Sequence, residues 1–237
     1  RVLSILTAIF GTLGILIITL QVFRNTTSHF NNSTPFDTFL YNLMGVDVII
    51  VWVANLAVAV LLFRQKFINP ILGWSIRFGL ILGLIGAALG FTMNANETEA
   101  QAAASAATGS SATFGAHSIG VEDGEEPKIP FVGWNSESGD LRVSHFLGLH
   151  GLQAIPLLGI FLMNLKTPRL SELKRTQLLF IGAIGYFSLM MLTYWQALRG
   201  QSIIAPDSLT LTAFAILIGS VAASTAWIIF NREVKTA

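Results

Sequence analysis

Apolar residues dominate six stretches of this chain, at positions 2–23, 38–63, 72–93, 141–165, 177–198 and 208–230. Each is about 20 residues long or more, the length an α-helix needs to cross the hydrocarbon core of a bilayer. No segment reads convincingly as a strand. The pattern predicts an all-α integral membrane protein, a single six-helix domain spanning 1–237. The first stretch is long for a secretory signal and lacks a small-residue cleavage site after it.

The polar positions between these stretches are not evenly shared. Arg1, Arg64, Lys66, Arg77, Lys166, Arg169, Lys174, Arg175, Arg232 and Lys235 fall on one side of a six-span arrangement; Arg24, Lys128, Arg142 and Arg199 fall on the other. The positive-inside rule then predicts both termini in the cytoplasm. Most acids, including Glu97, Glu99, Glu122, Asp123, Glu125, Glu126, Glu137 and Asp140, fall outside. The one long connection, 94–140, divides in two. Its Ala- and Ser-rich first part suits a flexible linker or a short Ala-rich helix, and disorder is the expectation there. Its second part mixes Gly, Pro, acids and aromatics, which predicts an ordered lid. Ile129, Phe131, Val132 and Trp134 are expected to pack back on the bundle at the membrane interface. Small residues at Gly79, Gly83, Gly86 and Gly90, and at Gly219 and Ala223, predict close helix packing.

Composition agrees. Hydrophobic residues make up 53% of the chain and charged ones 11%, against about a quarter charged in soluble domains. The lipid bilayer is the expected partner, with subunits of a membrane complex a further one. No long basic run is present, which excludes nucleic acid. Cysteine is absent, so there is no disulfide, thiolate ligand or Cys nucleophile. No G-x-S-x-G elbow occurs, and no Gly-rich phosphate loop follows a strand.

The residues that carry chemistry gather around 134–156, where the lid runs into the fourth span. Asp140 is placed to cap that helix. Arg142 falls in its first turn, where the helix dipole disfavours a cation and an anion must offset it. His145 and His150 are separated by about 140° around the helix, so they cannot both hold one ion from a single face. Pro156 should kink the span. Asp47 lies about nine residues into the second span, and an acid at that depth is normally paired. His150 is at matching depth and is the expected partner, with Asn55 or Asn42 contributing. Tyr194, Gln196, Arg199 and Gln201 put polar tips at the end of the fifth span. These groups are expected to converge on one outward-facing pocket under the lid. In that pocket Asp47, Arg142, Gln153, Tyr194, Gln196 and Arg199 would bind a ligand, and His145, His150, His117 and Asp140 would hold a metal. Imidazole and carboxylate suit zinc, copper or iron, although no H-x-x-x-H or H-E-x-x-H spacing is present. Haem ranks below a metal ion, because it would need His29 or His117 from a loop. His29 itself, in a Thr/Ser/Asn-rich loop, reads as solvated.

The strings G-W-x5-G-D-L-R-V-S-H-F-L-G-L-H-G-L-Q and Y-W-Q-A-L-R-G-Q-S-I-I-A-P-D resemble those of a bacterial family of uncharacterised polytopic membrane proteins. The resemblance covers 134–153 and 194–207. It implies a bacterial inner (plasma) membrane and carries over no catalytic role. A looser likeness to intramembrane zinc hydrolases stops at their paired-His helix, which this chain lacks. The function expected is an outward-facing His/Asp/Arg pocket that binds a metal ion or small ligand in a binding or redox role. An intramembrane hydrolase, a proton-coupled transporter relaying through Asp47 and His150, and a structural subunit of a membrane complex are the alternatives. Whether the protein is an enzyme stays open.

Overall fold

In a computed structural model that describes residues 1–124 and 126–231, the chain forms seven helices. They are α1 (Val2–Phe23), α2 (Pro35–Arg64), α3 (Pro70–Phe91), α4 (Glu99–Thr108), α5 (Arg142–Asn164), α6 (Glu172–Leu198) and α7 (Ser208–Phe230). All but α4 are long and apolar enough to cross a membrane. Among the described residues β-structure is limited to isolated bridges. This is the build of a multi-pass helical membrane protein. Two helices begin well before the apolar runs that announce them. Thr34 accepts from the Asp37 N–H, with Pro35 in the first turn, and Ser171 accepts from the Lys174 N–H. Such caps start a helix in polar sequence, so the apolar runs mark the lipid-facing length and not the whole helix.

Helices α3, α5 and α6 pack against one another; α2 joins α3, α1 joins α2, and α7 joins α6. The main core of Ile71, Leu82, Ile155, Leu162, Leu179 and Met190 lies among α3, α5 and α6. The glycine row of α3 brings α5 in. A Cβ on Gly86 would sit 2.4 Å from the Gly148 Cα, and one on Gly90 2.8 Å from the His145 ring. Gly79 faces Pro156, through which α5 continues unbroken. Gly219 of α7 has open space beside it, so its small-residue face does not pack against the described residues. α1 and α7 form the flanks, and few of their residues are buried.

The two ends of the bundle differ. At one end cations close helix C-termini, where unsatisfied carbonyls carry partial negative charge. Arg77 donates to the carbonyls of Leu62 and Gln65, Arg175 to those of Leu162, Met163 and Leu165, and Lys174 to those of Ile229 and Asn231. At the other end the long connection folds into a lid. Its first half is ordered, against the expectation of disorder. Thr98 and Gln101 form a capping box at the start of α4, and Gly109 ends it at φ 79°. Alanine looks featureless as composition, yet it is the strongest helix former. Gln101 then donates to Thr113 and to the Gly115 carbonyl, which fixes α4 to the rest of the lid. Of the residues expected to pack back, Trp134 meets Phe146 edge-on and Ile129 is half-buried. Phe131 and Val132 do not, because they form the tip of a turn closed by Gly133 N–H to the Ile129 carbonyl.

Candidate functional site

The lid is sewn to the bundle by short backbone pairings on both sides. The Phe114 N–H donates to the Phe30 carbonyl and the Asn32 N–H to that of Ala112. Further along, the Leu141 N–H donates to His117 and the Ile119 N–H to Gly139. The first pairing positions His29, the second His117, and both lie over the start of α5. His145 enters from the first turn of α5. These three histidines, with Arg142, line one cleft of about 630 Å³ between the lid and the ends of α2, α3 and α5. Phe30, Tyr41, Met44, Phe91, Met93 and Phe114 supply most of its apolar wall.

Each ring is held through one nitrogen. His145 Nδ1 lies 2.7 Å from the Gly86 carbonyl oxygen. A carbonyl only accepts, so Nδ1 carries the proton and, in the neutral ring, Nε2 keeps a lone pair. His117 Nδ1 lies 2.6 Å from Asp123 Oδ2, which gives the same tautomer. Burial pushes the Asp123 carboxyl up, but the hydrogen bonds it accepts from His117 outweigh it and hold Asp123 below its ordinary value. His29 Nδ1 is 2.9 Å from the Ser28 hydroxyl, and its ring centre is 6.2 Å from that of His117. Burial lowers the His29 pKa, and the nearby His117 and His145 lower it further against the pull of Asp123.

Arg142 is fixed beside the cleft. Its guanidinium reaches Asp140 at 2.6 Å and the Gly133 carbonyl at 2.8 Å. Asp140 is fully buried and also accepts the N–H groups of Asn135 and Arg142. The cap position of α5 falls to Leu141, one residue later than expected. Asp140 still supplies the anion that a cation in that first turn requires.

The remaining expected site residues lie elsewhere. Asp47 and His150 do not meet. Asp47 is buried against α1, where a Cβ on Gly14 would sit 2.7 Å from its Oδ2, and no residue described bonds its Oδ1. His150 is exposed on α5, stacked on Phe146 and bonded to the Phe146 carbonyl. Matching depth was a poor guide, because the two residues point from their helices in different directions. Gln153 is exposed on α5. Tyr194 packs on the cluster of Phe30, Met93, Leu141 and Ala197. Gln196 is buried and donates to the Ser202 carbonyl. Arg199 pairs with Asp207 at 2.5 Å over the Trp195 ring. His29 is exposed, as its loop composition suggested, and borders the cleft. Nothing in the sequence pairs residues 30–32 with 112–114.

The two strings that carry the family resemblance meet in space. Gly139 lies against the Ala197 backbone, where a Cβ would come within 1.9 Å of the carbonyl oxygen. Ser202 donates to the Asn135 carbonyl at 3.1 Å. The strings therefore hold the lid to the end of α6. No family model, curated protein or solved structure matches the chain. Among the described residues no three of His, Cys, Asp and Glu lie close enough to hold a bare metal ion.

Proposed function

We propose that this protein is a membrane-embedded binding protein whose cleft beneath the lid takes up a small ligand or metal complex. The observation that carries the reading is how the histidines are held. His117 and His145 each have Nδ1 committed to an acceptor, so the neutral ring of each keeps an Nε2 lone pair at a cleft with an apolar wall. Concave sites with mainly apolar walls and a few fixed polar groups are the usual form of small-ligand pockets. The cation distribution supports an orientation with the lid outside and both termini in the cytoplasm. The resemblance of the two strings supports a bacterial inner membrane. The exposed faces of α1 and α7 are compatible with lipid or with subunits of a membrane complex.

The test is elemental analysis, an absorption spectrum and native mass spectrometry on detergent-purified protein. These are compared with a His117→Ala/His145→Ala double variant and with His150→Ala. The expected result is a stoichiometric bound species that is lost from the double variant and kept by His150→Ala. Wild-type protein carrying no bound species, or a species unaffected by the double variant, overturns the reading.

A further inference from the structure

The ligand class follows from the donors the cleft presents. We infer that the cleft is a haem site, with His145 Nε2 and His117 Nε2 as the axial nitrogens; the inference rests on the binding reading above. In a neutral imidazole whose Nδ1–H is given to an acceptor, the only remaining polar atom is a lone pair on Nε2. Both histidines have Nδ1 held in this way, one by a backbone carbonyl and the other by a carboxylate. Metal-bound histidines are held through the opposite nitrogen by the same two kinds of acceptor. The partner of such nitrogens must accept an electron pair.

A bare ion does not suit the site. Zinc and its neighbours draw three or four ligands from the protein, and no such group exists among the described residues. An iron that arrives inside a macrocycle brings its equatorial ligands with it and asks the protein for one or two axial donors. The cleft offers two, one from the lid and one from α5. Both line the same cleft.

The walls agree with a flat, apolar macrocycle. A volume of about 630 Å³ is in the middle of the range of roughly 300–1,000 Å³ found for ligand and cofactor sites. Phe30, Tyr41, Phe91 and Phe114 offer ring surfaces, while Met44 and Met93 are adaptable apolar fill. The polar lining residues Asn94 and Arg142 lie just past the end of α3 and at the start of α5. That is where the carboxylate side of a haem would meet water. The glycine row of α3 contributes as well: Gly86 supplies the carbonyl that orients His145, and Gly90 leaves room for its ring.

The experiment is a titration of the full, detergent-purified chain with hemin, followed by the Soret band. The expected result is saturable one-to-one binding with a six-coordinate, low-spin spectrum. His145→Gly should lose that spectrum and regain it when free imidazole is added, which separates loss of a ligand from loss of the fold. His117→Ala should shift the spectrum toward five-coordinate iron. Asp123→Asn, which weakens the hold on His117 Nδ1, should lower hemin affinity by about 10-fold to 100-fold. His150→Ala should bind as wild type. Absence of saturable binding, or an unchanged spectrum in His145→Gly, overturns the haem inference. If hemin fails while a species bound to the native protein is still lost from the His117→Ala/His145→Ala variant, the haem identity falls and the binding reading stands. If both fail, both fall.

Discussion

His145 donates its Nδ1 proton to the Gly86 carbonyl 2.7 Å away, and Gly86 is the residue at which α3 touches Gly148 of α5 backbone to backbone. The helix crossing and the orientation of the cleft histidine thus share one residue. A backbone carbonyl becomes available to a side chain on the next helix only where the two backbones approach closely, and glycine permits that approach.

Gly86→Ala should therefore disturb both at once. Its Cβ would lie 2.4 Å from the Gly148 Cα and 2.5 Å from its carbonyl carbon, and backbone atoms cannot turn aside as a flexible side chain does. Overpacking of this kind costs about 1–3 kcal/mol. The variant should unfold at lower temperature in detergent and bind the cleft ligand more weakly. Gly219→Ala, with nothing within 4 Å, should hold or raise the thermal midpoint, since alanine is favoured over glycine in a helix by about 1 kcal/mol. Equal effects from the two substitutions would contradict the crossing described here.

Arg142→Lys should not behave as a conservative change. The guanidinium contacts both carboxylate oxygens of the fully buried Asp140 and also the Gly133 carbonyl. An ammonium cannot reproduce that fork. Leaving a buried carboxylate poorly matched costs about 3 kcal/mol where the pair is desolvated. Arg142 is itself 26% exposed, so the loss should fall at or below that figure. Chemical unfolding of wild type, Arg142→Lys and Arg142→Gln measures it, with Arg142→Lys expected closer to Arg142→Gln than to wild type.

The lid should loosen as pH falls from 7 to 5, and His29 should be the cause. Its folded pKa lies below the ordinary 6.5, through burial and through His117 and His145. The unfolded chain therefore takes up this proton more readily, and stability present above about pH 6.5 is lost as the pH drops through the folded value. Asp123 is also held below its ordinary 3.8, so its contribution persists through this window and is lost only in stronger acid. Amide exchange at 112–119 should accelerate toward pH 5 relative to α3, after correction for intrinsic rates. His29→Gln should flatten that dependence; an unchanged profile would remove His29 as the cause.

The spans and the ordered second half of the lid are legible in the sequence because both depend on local composition. The glycine row of α3 is legible for a similar reason, since small residues four apart mark a helix face whatever packs on it. The cleft is not legible in the same way. His29 and His117 are brought together by pairings between 30–32 and 112–114, a contact across some eighty residues for which neither segment carries a local signal. The Asp47–His150 pairing fails for the complementary reason. Depth along a helix can be counted from the sequence, but the direction a residue faces depends on which neighbour each helix chooses, and α2 gives Asp47 to α1.

That choice yields a direct test. Asp47 is 2% exposed, its Oδ1 has no bonding partner among the described residues, and its Oδ2 occupies the space a side chain at Gly14 would need. Gly14→Ala should destabilise the α1–α2 pair, because the new Cβ would lie 2.7 Å from Oδ2. Asp47→Ala should be tolerated, because a buried polar atom without a partner costs free energy that its removal returns. In the double variant the clash is gone, so the cost of Gly14→Ala should shrink. Neighbours that touch show coupling of about 0.5–3 kcal/mol, whereas distant sites add. A double-mutant cycle on thermal or denaturant unfolding reads this coupling. Additive effects would mean that Asp47 does not face Gly14, and would reopen the question of which helix it serves.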